Sequence, residues 1–86
     1  MSEKPSQELN EDLMSAQQQV AVGERYKHYR GLLYTVIAIG LDEKTLEPSV
    51  VYKAEYGEKL TWIRPLSDWL KEVEWEGKTV PRFTKI

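Results

Sequence analysis

The stretch Arg25-Tyr26-Lys27-His28-Tyr29-Arg30-Gly31 sets cations beside aromatic rings and contains the only histidine of the chain. Two later stretches repeat the mixture: Leu60-Thr61-Trp62-Ile63-Arg64-Pro65, and Arg82-Phe83 near the end. On an extended backbone alternate side chains share a face. Tyr26, His28 and Arg30 then lie together, opposite Arg25, Lys27 and Tyr29. Leu60, Trp62 and Arg64 likewise lie opposite Thr61 and Ile63. Rings offer flat apolar walls for planar groups, and a guanidinium offers a fork that fits phosphate or carboxylate. The same residues also build a core, with tyrosines at its rim and arginine stems laid over it. That core-building use is the more economical reading.

Other chemistries have less to draw on. Serine hydrolysis needs a base on the hydroxyl, and His28 is the sole imidazole. There is no G-x-S-x-G elbow, and the serines fall in the N-terminal segment, in a loop (Ser49) or after a proline (Ser67). Without cysteine and with one histidine, zinc ligation of the usual kind has no donors. Asp42 and Glu43 lack calcium-loop spacing and read as a solvated loop. Glu72, Glu74 and Glu76 alternate with Val73 and Trp75, the pattern of a water-facing hairpin side. The five glycines are scattered and form no phosphate cradle. No cofactor and no metal is expected, and no catalytic residue is assigned.

Elements must position these groups, and the whole chain limits which. Its 86 residues fit one domain and a tail. Residues 1–23 hold one lysine against four carboxylates, a net of −3, while residues 24–86 hold eleven basic and ten acidic groups, a net of +1. Duplex DNA binding draws on a clear basic excess, so this balance argues against it. The most apolar run, Leu32 to Leu41, is half the ~20 residues a spanning helix needs. The polar start has no signal-peptide run. With no cysteine to oxidise, a soluble cytoplasmic protein is expected.

Leu9, Leu13, Ala16 and Val20 step by four, three and four, which predicts a helix within 7–21 of the acidic tail 1–23. Ser6 reads as its cap and Gly23 as its end. Residues 24–86 read as strands. Arg25–Arg30 ends at Gly31, and the β-branched "LYTVIAIGL" is a long central strand. Leu41–Ser49 is a loop. "VVYKAEY" puts Val50, Tyr52, Ala54 and Tyr56 on one face. Leu60–Arg64 follows a polar turn and stops at Pro65. Leu66, Trp69 and Leu70 suggest one helical turn. A hairpin turning at Gly77-Lys78 comes next, with Pro81 marking an edge. The fold expected is mainly β: a small SH3-like, strongly bent antiparallel barrel of about five strands with one short helical turn.

The order "YKHYRG", a tyrosine three residues later, "VVYKAEYG", "TWIRPLSDWL" and "VPRF" resembles a small bacterial family, the domain-of-unknown-function 1653 family. The resemblance covers about Arg25 to Phe83. It rests on Tyr26, His28, Tyr29, Gly31, Tyr34, Tyr52, Tyr56, Gly57, Trp62, Arg64, Pro65, Pro81, Arg82 and Phe83. It implies a short, soluble, mostly β domain with no assigned activity, so no catalytic residue carries over. Two positions depart from the pattern: Trp69 stands where phenylalanine is expected, and Glu55 where leucine is usual. The first suggests modest repacking under the helical turn, the second a water-facing position.

His28, Trp62, Arg64 and Arg82 are more polar residues than packing alone requires. If the barrel closes, the first strand lies beside the last or the fourth. Tyr26, His28, Tyr52, Trp62, Arg64 and Arg82 then line one groove for a planar or anionic group. The expectation is a non-catalytic binding module for a nucleotide, single-stranded nucleic acid or peptide. The alternatives are a protein-interaction or oligomerisation module using the N-terminal helix, and a small enzyme using His28. No membrane partner is expected.

Overall fold

The computed structural model describes residues 5–86. Its elements run α1 (Ser6–Gln19), β1 (Arg25–His28), β2 (Leu33–Leu41), β3 (Pro48–Ala54), β4 (Thr61–Pro65), α2 (Leu66–Trp69), β5 (Glu72–Trp75), β6 (Lys78–Pro81) and β7 (Phe83–Lys85). The fold is mainly β, and every strand pairing is antiparallel. Five strands form one sheet in the order β4-β3-β2-β1-β7, and β5–β6 form a separate hairpin.

The predicted helix is present but is bounded differently. Pro5 occupies the capping position with no side-chain hydrogen bond, so Ser6 is the first helical residue and not a cap. Val20 already has extended backbone, and its N–H donates to the Ala16 carbonyl at 2.9 Å. Ala16 and Val20 belong to the same buried cluster as the sheet residues, with Leu13 packed against it. The link from α1 is fixed to the sheet. Gly23 N–H donates to Val36 O (2.8 Å), and Val36 N–H donates to Glu24 O (3.0 Å). Gly23 has φ of 88°, a left-handed value that favours glycine.

Alternation drives the strands as expected. Val50, Tyr52 and Ala54 point into the core from β3, and Tyr34, Val36 and Ile39 from β2. The register of β2 against β3 shifts between Val36 and Ala38, a bulge that bends the long strand. Tyr56, expected on the inner face, lies beyond the end of β3 and is exposed. The β5–β6 turn falls on Glu76-Gly77, one residue earlier than predicted, with φ of 52° and 79°. A two-residue hairpin loop of this kind needs positive φ at both central positions.

Closure into a barrel is not met. β1 does lie beside the last strand, His28 opposite Phe83, but β4 and β7 are the unpaired ends of an open sheet. Pro65 ends β4 without a ladder donor, and side chains fill the space between the ends. Trp69 of α2 stacks on Phe83 of β7 at 3.7 Å and 5°, and meets Tyr52 of β3 edge-on at 5.0 Å. Arg64 of β4 lays its guanidinium over the Phe83 ring at 5.7 Å. The two sheet ends therefore meet through rings and a cation instead of a ladder. Truncating a buried tryptophan of this kind costs about 3–5 kcal/mol.

Candidate functional site

His28 is the last residue of β1 and is placed by the ladder across from Phe83. Its ring lies 5.2 Å from Phe83 and 6.5 Å from Tyr34, both edge-on, and 4.3 Å from Tyr29. Nδ1 accepts the Arg30 backbone N–H at 3.2 Å. An imidazole that accepts at Nδ1 carries its proton on Nε2 when neutral, so that edge is a donor.

Arg64 comes from β4 on the face it shares with Tyr52 and Val50. Its Nη1 donates to Asp68 Oδ2 at 2.7 Å, and its Nε donates to the Tyr52 hydroxyl at 3.3 Å. Arg82 sits between β6 and β7. Its N–H donates to Lys71 O at 3.1 Å, and its carbonyl accepts from Tyr29 N–H at 3.0 Å. Arg82 Nε is buried and has no hydrogen-bond acceptor among the described residues. Trp62 lies directly across from Tyr52 on the same face, but at the sheet margin, where it is half exposed.

His28, Tyr52, Arg64 and Arg82 thus converge, with Trp62 at their edge. Tyr26 is buried against Trp69 (5.4 Å), and its hydroxyl accepts the Ala21 N–H at 2.9 Å, which engages it with the α1–β1 link instead. Sequence reasoning missed Asp68, whose partnership with Arg64 depends on Pro65 ending a strand and a helical turn starting at once. It also missed the Tyr34–Tyr56 hydroxyl pair, 2.5 Å apart beside the Tyr52 ring. Glu55, read as facing water, is partly covered on the opposite sheet face. It takes a forked contact from Arg25 (2.8 Å at the closest) and a hydroxyl from Thr35 (3.0 Å).

The electrostatics follow from this crowding. Burial lowers the His28 pKa first, and the charges of Arg64, Arg82 and Arg30 lower it further. The ring is therefore neutral at pH 7. For Asp68, burial pushes the pKa up, but Arg64, Arg82 and Lys71 together outweigh it and hold the carboxyl below its ordinary value. Burial pulls Arg64 down, and the Tyr52 hydroxyl and Asp68 more than restore it. Burial, then the bond to Tyr56, raises the Tyr34 pKa, so its hydroxyl keeps its proton. Three cations thus surround one carboxylate, beside neutral donors. Such a place can hold an oxyanion against a wall of rings.

Other parts of the surface offer less. An open groove of about 360 Å³ is lined by Asp12, Ser15, Gln19, Thr45, Leu46, Glu47, Pro48 and Leu66, and shares no residue with the cluster. The Glu47 carboxylate in it is engaged by the Ser67 hydroxyl at 2.6 Å. An enclosed donor without an acceptor is a stronger mark of a ligand than an open groove. Asp42 Oδ1 accepts the Lys44 and Thr45 amides, a turn that also lowers its pKa. Among the described residues no three His, Asp or Glu side chains group to hold a metal, and no helix is long and apolar enough to cross a membrane.

The chain is similar in structure to a DUF1653 protein from Bordetella bronchiseptica, with 27% sequence identity and a TM-score of 0.70. The likeness covers 79% of this chain and 90% of that one. No curated protein matches. The family described as "protein of unknown function (DUF1653)" matches residues 24–85, which takes in every strand and α2. With that much of its length matched, the chain belongs to the DUF1653 family.

Proposed function

We propose that the chain is a small non-catalytic binding module. Its His28–Arg64–Arg82 cluster, walled by Tyr52 and Phe83 and edged by Trp62, takes a planar or anionic group of a nucleotide, single-stranded nucleic acid or peptide. One observation carries this reading: among the described residues the buried Arg82 Nε–H has no acceptor, beside two other cations that share the carboxylate of Asp68. A buried donor left unmade costs the fold, and a ligand oxygen offsets that cost.

The non-catalytic part is supported by His28 itself. Its Nδ1 is committed to a backbone amide, and three guanidinium charges disfavour the protonated ring that proton shuttling would pass through. A docking role for α1 is the weaker reading, because Ala16 and Val20 already spend the helix's apolar stripe on the sheet. Residence in the cytosol accords with the absence of cysteine. A curled, barrel-like sheet would keep β1, β4 and β7 close enough to present one rim.

The test compares Arg64→Ala and Arg82→Ala with the parent chain by NMR, titrating inorganic phosphate, a mononucleotide, a short oligonucleotide and a peptide. Shifts at His28, Trp62 and the arginine Nε signals that either substitution abolishes support the module. If both variants lose several kcal/mol and no probe moves a parent signal, the arginines are structural clamps and the reading is wrong.

A further inference from the structure

The cation cluster stands at one end of β4, and β4 is an open edge. Ala54 N–H donates to Leu60 O at 2.9 Å, which makes Ala54 and Leu60 a hydrogen-bonded pair. Alternation along the ladder then turns the backbone groups of Trp62 and Arg64 toward β3 and those of Thr61 and Ile63 outward. No backbone hydrogen bond reaches the Thr61 or Ile63 amides from elsewhere among the described residues. Pro65 stands where its missing N–H also faces out. The side chains beside this edge are apolar and uncovered: Ile63 is 70% exposed, Leu60 51% and Trp62 49%. Natural edges are blunted by charged side chains, proline or shortness; here Pro65 closes one end, but no lysine stands between Thr61 and Pro65, and the outward side chain of Ile63 is apolar.

We infer that β4 takes up an extended peptide segment as an added antiparallel strand, with an acidic residue of that peptide opposite Arg64. This rests on the oxyanion reading of the cluster and names its ligand as a peptide carboxylate. The occupant's chemistry follows from the register. Opposite Arg64, on the inner face, stands the acid, within reach of a guanidinium that keeps free donors after Asp68 and Tyr52 are served. The next residue pairs with the outward Ile63 through two backbone bonds and covers its side chain. The one after it lies over the Trp62 ring, and a fourth pairs with Thr61. The pattern is acid–apolar–apolar–any, read from the N-terminus. A second copy of β4 does not fit, because its own Thr-Trp-Ile-Arg offers no carboxylate.

The probe is acetyl-Ser-Glu-Val-Val-Thr-Ser-amide, which has no terminal charge, and its twin with Gln for Glu. With the full chain, saturating peptide should slow hydrogen exchange at the Thr61 and Ile63 amides. The Gln twin should bind about tenfold more weakly, the loss of one charge-assisted contact. Arg64→Gln should erase that preference. Ile63→Pro removes an outward N–H that the β3 ladder does not use, so it should abolish binding while near-ultraviolet dichroism stays native. Should that variant unfold, exchange at the two parent amides decides alone. Unchanged exchange overturns the inference, and if phosphate or a six-residue thymidine oligonucleotide still shifts the arginines, the oxyanion reading survives without it. Exchange slowed equally by both peptides keeps the added strand but overturns the acidic contact. Amides already protected in a chain that elutes as a dimer assign the edge to a second copy and overturn the peptide.

Discussion

The Arg82 Nε–H is a buried donor without an acceptor among the described residues, and a donor left so costs about 1–3 kcal/mol. If it is retained for a ligand, relief of that cost should be easy to find. Arg82→Leu is expected to raise stability by about 0.5–2 kcal/mol, as a higher urea midpoint, while abolishing phosphate binding. Tyr52→Phe keeps the ring contacts to Trp69 and Phe83 but strips the acceptor from Arg64 Nε. Its expected cost is about 0.5–1.5 kcal/mol. His28 ties stability to pH. A base whose folded pKa lies below its unfolded value binds its proton more readily when unfolded. Its stabilising share is thus full above about 6.5 and is lost as the pH falls through that value toward the lowered folded one. Asp68 and Glu55, with depressed folded values, add a second loss only in the carboxylate range below that. Urea midpoints from pH 7.5 to 5 should therefore decline, and His28→Gln should flatten that limb. A parent chain with no decline between pH 7 and 5.5 would contradict the partial burial of His28 among cations. The grouping of His28, Arg64 and Arg82 was legible as residue types, but the carboxylate of Asp68 that faces the two guanidinium groups was not. Asp68 pairs with Arg64 across a strand–helix junction, a step no periodicity announces.

At the level of elements, local pattern served well where one face is buried and poorly where it is not. β3 from Val50 to Ala54, and β2 up to the bulge after Val36, alternate because their inner faces carry Tyr34, Val36, Val50 and Tyr52. β4 has the same alternation, yet its apolar Ile63 points outward and its Trp62 stands at the margin. Alternation gives the period, and only long-range pairing decides which strand ends at an edge. The last strand was expected as the return of a hairpin. Instead the chain splits there: Lys78–Pro81 pairs with β5, while Phe83–Lys85 crosses to β1. Arg82 is the residue at that split, with its N–H on Lys71 and its carbonyl on Tyr29. The helix α1 was legible from its stripe, but its place in the core depends on contacts with strands far along the chain. Val20 is fully buried, so Val20→Ala should lower stability by about 1–2 kcal/mol in chemical denaturation. A change below about 0.3 kcal/mol would mean that α1 does not hold the sheet in solution.

For the whole molecule, charge arrangement matters more than its sum. The chain carries −2 overall, with the cations that surround Asp68 set against an acidic helix and the glutamates of β5. A ligand held by two or three cations releases few counterions. Its affinity is expected to fall by about ten- to fortyfold between 50 and 200 mM salt, whereas a surface gripping six to ten phosphates loses about 10³–10⁵. Isothermal titration across that range separates a small oxyanion or peptide from a long nucleic acid. A slope of the steeper kind would move the reading to nucleic acid. The open sheet also explains the partial failure of the barrel expectation. Closing it would need a ladder between β4 and β7, and the Trp69–Phe83 stack occupies that space.

That stack has an optical consequence. Trp69 is 3% exposed and lies flat on another ring, while Trp62 is 49% and Trp75 39% exposed. Iodide should therefore quench two of the three indoles and leave a blue-shifted residual emission from the third. Loss of that residual light would report the moment the two ends of the sheet part, before any change in the outer indoles is read.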